Sequence, residues 1–178
     1  MVAFVGCRQD MHDQAKNQPF EASDFFSDGK AGRSLVEGTI ARGYLQEDAY
    51  LYTGKIKGEP VDAFPFEVDL DALKRGRERY DIFCSPCHDR AGMGLGMVVQ
   101  RGFKQPPTFH SDRLRAVKPG YLFDVITNGF GSMTSYRARI PTQDRWLIAA
   151  YIQTLQFSAY APVGELSGRD KEALRSGK

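Results

Sequence analysis

Five consecutive residues, Cys84-Ser85-Pro86-Cys87-His88, constrain this chain more than any other stretch of it. They spell C-x-x-C-H, the attachment signature of c-type haem. Two thiols with a two-residue gap can add across the two vinyl groups on one porphyrin edge. The adjacent imidazole then points a nitrogen at the iron from the proximal face. Covalent attachment prevents loss of the group and fixes the ligand geometry. Two other chemistries compete for the same spacing. A zinc site needs a fourth ligand; His12 and His110 are available, but neither belongs to a second clustered pair. A thioredoxin-like pair wants a βαβ setting, whereas this motif directly follows a helical pattern. The third cysteine, Cys7, stands alone, and an odd count makes a poor disulfide framework.

An electron-transfer haem with a filled sixth position needs a second axial group. Methionine is the usual partner of histidine, because its soft thioether favours ferrous iron. Of five methionines, Met1 and Met11 lie far towards the N-terminus. Met93 and Met97 follow His88 too closely to reach the opposite face of the ring without a strained path. Met133 lies 45 residues after His88, in a glycine-flanked loop between two helical patterns, and is the expected ligand. Met97 is the alternative, and core filling is the ordinary use of any methionine.

The rest of the chain divides by pattern. Residues 1–66 show no sustained helical or strand period, and such a segment cannot bury enough apolar surface to fold alone. It is expected to be an extended arm, on a partner rather than free, because Phe20, Phe25, Phe26, Tyr44, Tyr50, Tyr52, Phe64 and Phe66 are many aromatics for a loose tail. Residues 67–160 are expected to form the compact domain. Asp69 or Asp71 caps a helix with Leu73, Gly76, Tyr80 and Phe83 on one face. Pro119 opens a second helix that Gly129 stops. A third runs from Thr142 to about Gln156 with Ile148, Tyr151, Ile152 and Leu155 inward. Residues 161–178 read as a polar tail, frayed or partner-bound. The class is therefore all-α. A net charge of +2, from 24 basic and 22 acidic residues, excludes a phosphate-neutralising nucleic-acid binder. No apolar run approaches the roughly 18 residues of a membrane span.

The order of helix, C-x-x-C-H, proline loop, short helix, methionine loop and C-terminal helix resembles a class I cytochrome c over about half the chain. The resemblance implies that the first and last helices cross with the haem between them. Gly76 and Tyr80 match the small and aromatic residues of the family's first helix, and Ala150-Tyr151-Ile152 the segment that crosses it. Glycine there lets two backbones approach closely. Pro107, in Pro107-Thr108-Phe109, is similar to the family proline whose carbonyl accepts the proximal histidine's ring N–H; it could also be an ordinary loop proline. Thr134 stands where the family often has a proline after its methionine, which makes that loop less rigid. Arg101 and Tyr136 are candidate partners for the haem propionates, or plain surface residues, and Tyr80 is a candidate pocket residue.

A closer resemblance spans most of the chain. Ser23-Asp24-Phe25-Phe26, Arg75 to Tyr80, Val98 to Phe103 and Phe123 to Gly131 resemble the monohaem cytochrome c component of bacterial alternative complex III. That implies one covalent haem c and single-electron transfer in a respiratory or photosynthetic chain. It also implies an arm wrapping other subunits of a membrane-bound, quinol-oxidising complex, and a downstream acceptor such as a cytochrome c, a copper protein or an oxidase. The chain alone would transform no substrate. Two rivals are a peroxidase-like haem enzyme with an open sixth site and a scaffold with a structural haem. Haem is attached to this motif outside the bacterial cytoplasmic membrane, so the expected location is its periplasmic face. A full leader with about 7–15 apolar residues is not evident. Phe4-Val5-Gly6-Cys7 resembles the end of a lipoprotein signal, so Cys7 is expected to carry a lipid anchor; its plain alternative is a free cysteine.

Overall fold

The computed structural model describes residues 11, 12 and 14–176. It divides into two units, Met1–Leu45 and Gln46–Lys178. Cys7 lies outside the described residues.

In the first unit, residues 18–33 close a small loop. Ser23 N–H donates to the Gly29 carbonyl at 3.1 Å and Ala31 N–H to that of Glu21 at 3.0 Å. Arg33 grips both oxygens of Asp28, at 2.7 and 3.0 Å, and lies over the Phe26 ring at 4.1 Å. Phe20, Phe25, Leu35 and Val36 remain exposed.

The second unit begins with α1 (Ala49–Thr53), whose N-cap Asp48 accepts the Leu51 N–H, and an antiparallel pair of two-residue strands, β1 (Lys55–Ile56) and β2 (Glu59–Pro60). Then comes α2 (Leu70–Phe83). Its start is fixed by Asp69, whose carboxylate accepts the Ala72 N–H at 2.7 Å and satisfies a donor left open by the first turn. After α3 (Ser85–His88) and a loop with a 3-10 turn at Val99–Arg101 come α4 (Asp112–Arg115) and α5 (Pro119–Asn128). Pro119 sits in the first turn of α5, where its missing N–H costs nothing, and Gly129 ends it at φ 82°. The last long helix, α6 (Thr142–Tyr160), continues a turn past the expected Gln156. The expected polar tail contains α7 (Gly168–Ser176), no residue of which is buried. Among the described residues no helix is long and apolar enough to cross a membrane.

α2 packs across α6. A Cβ on Gly76 would fall on the Leu147 carbonyl, so the crossing is as close as glycine allows. The buried Asp144 of α6 ties the pair from one side, accepting from Arg75 at 3.1 and 3.0 Å and facing Arg79 at 3.6 Å. Gly76→Val is expected to destabilise the fold by about 2 kcal/mol, measured by urea denaturation, because a backbone carbonyl cannot yield as a side chain could. Unchanged stability would mean that the helices do not approach at this point.

The expected boundary after residue 66 is corrected, because residues 46–66 belong to the compact unit. The reason is Trp146 of α6, which is fully buried and stacks on Phe123 at 4.3 Å. Tyr50 and Phe64 meet its edge at 6.2 and 6.1 Å, and its indole N–H donates to the Leu51 carbonyl at 2.8 Å. Val61 N–H then bonds the Gly54 carbonyl, and the Val61 carbonyl accepts Gly120 N–H in return, joining the strand pair to the start of α5. Aromatics assigned to an arm thus find their partner 80 to 100 residues downstream.

Candidate haem-binding site

Cys84 ends α2 and begins α3, so the motif sits at a corner between two helices. Cys87 and His88 N–H groups both donate to the Cys84 carbonyl, at 3.1 and 2.9 Å, which turns the pentapeptide into one tight coil. Asp89 leaves it at φ 55°, a left-handed conformation that costs a non-glycine residue. Two contacts hold it there. The Tyr80 hydroxyl donates to the Asp89 carbonyl at 2.6 Å. The Asp89 carboxylate accepts Ala91 and Leu95 N–H at 2.7 and 2.8 Å. Burial alone would raise this carboxyl; the backbone donors around it, Leu95 and Ala91 foremost, hold it below its ordinary value. Tyr80, completely buried on α2, is pushed well above the ordinary phenol range, chiefly by burial.

The glycine-rich loop folds back over the motif. Val98, Gly96 and Gly94 N–H donate to the carbonyls of Pro86, Cys87 and His88 at 3.0, 3.1 and 3.0 Å. A Cβ on Gly96 would collide with the Pro86–Cys87 backbone, which is why that position is glycine. The segment is therefore held by backbone bonds that leave its side chains free.

Both thiols are free. Burial, then the nearby Cys87, pushes the Cys84 thiol up to about 12. A redox-active cysteine pair needs the opposite shift, and among the described residues no three His, Cys, Asp or Glu side chains gather to hold a metal. Burial also pulls the His88 imidazole down to about 4, so it is neutral with a lone pair to give. Its Nδ1 is buried without a hydrogen-bond partner, an omission that costs about 1–3 kcal/mol in a finished core. Two thiols and a neutral imidazole gathered at one helix corner are the donor set that haem c needs.

The structure brings some expected residues here and not others. Tyr136 is half-buried, and burial followed by the charges Cys84 and Cys87 can carry raises its phenol, which puts it in electrostatic reach of both sulfurs. Met133 is half-buried and packs, with Cys84 and Tyr136, on the apolar cluster that contains Tyr80 and Phe109. The expected bond from His88 Nδ1 to the Pro107 carbonyl is not formed. Pro107 is exposed, and Phe109 lies flat on the His88 ring instead, 4.6 Å away and 13° from parallel. The Phe109 N–H is bonded to the Gly92 carbonyl at 2.9 Å, which fixes that stacking. Arg101 is exposed at the end of its 3-10 turn, and its guanidinium makes no hydrogen bond or ion pair with the described residues. Sequence reasoning missed Phe109 and Asp89. The only signal for Phe109 was its place beside the loop proline.

Residues 71–152 match the family model for cytochrome c oxidase, cbb3-type, subunit III. No curated protein matches the chain. A solved structure of the reducing HAO-like protein complex of Kuenenia stuttgartiensis is 22% identical, with 60% of this chain and 53% of that one covered and a TM-score of 0.46. Cytochrome cL of Methylophaga aminisulfidivorans is 20% identical, with 70% and 75% covered and a TM-score of 0.43. The chain spans about half the length of the first of these. The matched segment carries the attachment motif, nearly all of α2 and the first part of α6. It is cytochrome c-like in the manner of cbb3-type subunit III, and such a domain implies haem-based electron transfer.

Proposed function

We propose that this chain is a monohaem c-type cytochrome whose iron His88 and Met133 would ligate, passing single electrons as a subunit of a quinol-oxidising alternative complex III. The observation that carries the reading is the corner between α2 and α3, where two free thiols stand beside a half-buried, neutral imidazole within a cytochrome c-type domain. Bound haem c supplies the one-electron chemistry. The chain's own residues hold and insulate it. Tyr80 and the glycine loop fix the backbone that presents Cys84, Cys87 and His88. Phe109 sets the plane of the imidazole. The loop carrying Met133 closes on the same apolar cluster, which would keep water from a bound iron and lower the reorganisation that each electron costs.

The finer assignment is supported by the resemblance of the Ser23–Phe26, Arg75–Tyr80, Val98–Phe103 and Phe123–Gly131 segments. The exposed Phe20, Phe25, Leu35 and Val36 of the first unit suit burial against other subunits. In this reading a lipid on Cys7 holds the protein at the periplasmic face of the membrane, and a cytochrome c, copper protein or oxidase takes the electron.

Oxidised and reduced visible spectra with a pyridine haemochrome assay test it. One haem c per chain and a methionine-to-iron charge-transfer band in the oxidised protein are expected. Carbon monoxide binding to the intact reduced protein would turn the reading to a haem enzyme. Isolation from native membranes without any quinol-oxidising partner would remove the complex.

A further inference from the structure

We propose that Arg145 is a positioning residue for the Met133 sulfur: its guanidinium clamps together the two ends of the loop that carries Met133. The loop, residues 129–141, joins α5 to α6. Thr127 stands at its entry and Thr142 at its exit, 15 residues apart in sequence. Arg145 reaches both. Nη1 donates to the Thr127 hydroxyl, and Nη2 donates to the Thr142 hydroxyl at 2.9 Å.

Arg145 is only 4% exposed, and it forms no ion pair with the described residues. Its charge is met by the two hydroxyls and by the face of Phe123, 4.9 Å from the guanidinium carbon. Its Nε is buried and without a partner. Burying a cation this way is costly, and a well-packed apolar side chain would serve stability as well or better. A fork with two separated donors is what the site uses. A lysine ammonium is a single point and cannot meet both hydroxyls in the same way.

The clamp is continuous with the methionine. The Thr127 hydroxyl accepts the Arg145 hydrogen bond, and the Thr127 carbonyl accepts one from the Ser135 hydroxyl at 2.6 Å. Ser135 is two residues from Met133. Next to it, Tyr136 N–H donates to the Ile126 carbonyl at 3.0 Å, and Phe130 and Met133 exchange two backbone bonds at 3.0 Å. A Cβ on Gly129 would meet the Met133 carbonyl, so the loop is folded tightly onto the end of α5. Releasing Thr127 from Thr142 removes a side-chain tie between the two ends of this loop and leaves only its backbone bonds and weaker side-chain contacts to hold it.

The assignment to the sulfur rests on Met133 being an iron ligand; the clamp on the loop does not. The test therefore uses two readouts on full-length, haem-loaded protein. In Arg145→Met, amide hydrogen exchange in residues 129–141 is expected to rise about tenfold or more while residues 70–83 are unchanged. Added imidazole should displace the methionine band at about a tenfold lower concentration, since a loop open more of the time binds a competitor in proportion. Thr127→Val should show a smaller shift in the same direction and keeps the test available should Arg145→Met fail to fold. Loop exchange within twofold of the parent in the folded variants would overturn the proposal. Raised exchange in a parent that never showed the band would leave the clamp standing and remove Met133 as the ligand.

Discussion

Replacing Cys84 and Cys87 together by alanine is expected to abolish covalent haem completely. The peptide covering residues 83–89 should then have its unmodified mass, and no haem should stay with the chain on a denaturing gel. Each thioether needs one of these sulfurs, and Cys7 is the only other thiol in the sequence. The corner that presents them is made by backbone bonds from Gly94, Gly96 and Val98, none of which uses a cysteine side chain. The helices should therefore still form around any haem bound through His88 alone, and the loss should be of attachment rather than of fold. A tetrapyrrole adduct surviving in the double variant would place the linkage elsewhere and undo the reading of the site.

Met133→Ala is the second large effect. The oxidised protein should lose its methionine-to-iron band, and the reduced protein should bind carbon monoxide. Its reduction potential should fall by on the order of 0.1 V, a modest part of the roughly 0.8 V that axial ligands control. Thioether ligation favours the ferrous state, so removing it favours the ferric one. Met97→Ala is the control. Met97 is 56% exposed on the loop that covers the motif, and its removal should change none of these signals. The reverse pattern, with the band lost in Met97→Ala and kept in Met133→Ala, would move the sixth ligand to Met97.

Much of the framework is legible in the order of residues. Asp69 caps α2, Pro119 opens α5 and Gly129 closes it where their residue types require. These signals are local: a carboxylate beside an open N–H, a proline where no donor is needed, a glycine where φ turns positive. Gly76 was expected at a close helix crossing from the resemblance to a class I cytochrome c, and its neighbour proved to be the Leu147 carbonyl. The aromatics of residues 46–66 were visible, but their partner was not. Nothing local says that Trp146 will draw Tyr50 and Phe64 to it.

By itself the sequence determined the chemistry: two cysteines and a histidine whose spacing suits one porphyrin edge, set at the end of a helix. It also determined where the helices around them start and stop. Tertiary structure alone decided how that chemistry is held. Phe109 rather than Pro107 meets the His88 ring, Arg101 stays in solvent, and Arg145 bridges Thr127 and Thr142 across the methionine loop. The reason is physical. Capping and turn preferences act over a few residues and leave a trace in the order of the chain. Stacking and a forked hydrogen bond join residues 15 to 100 positions apart, and they depend on directions in space that the order of residues does not record.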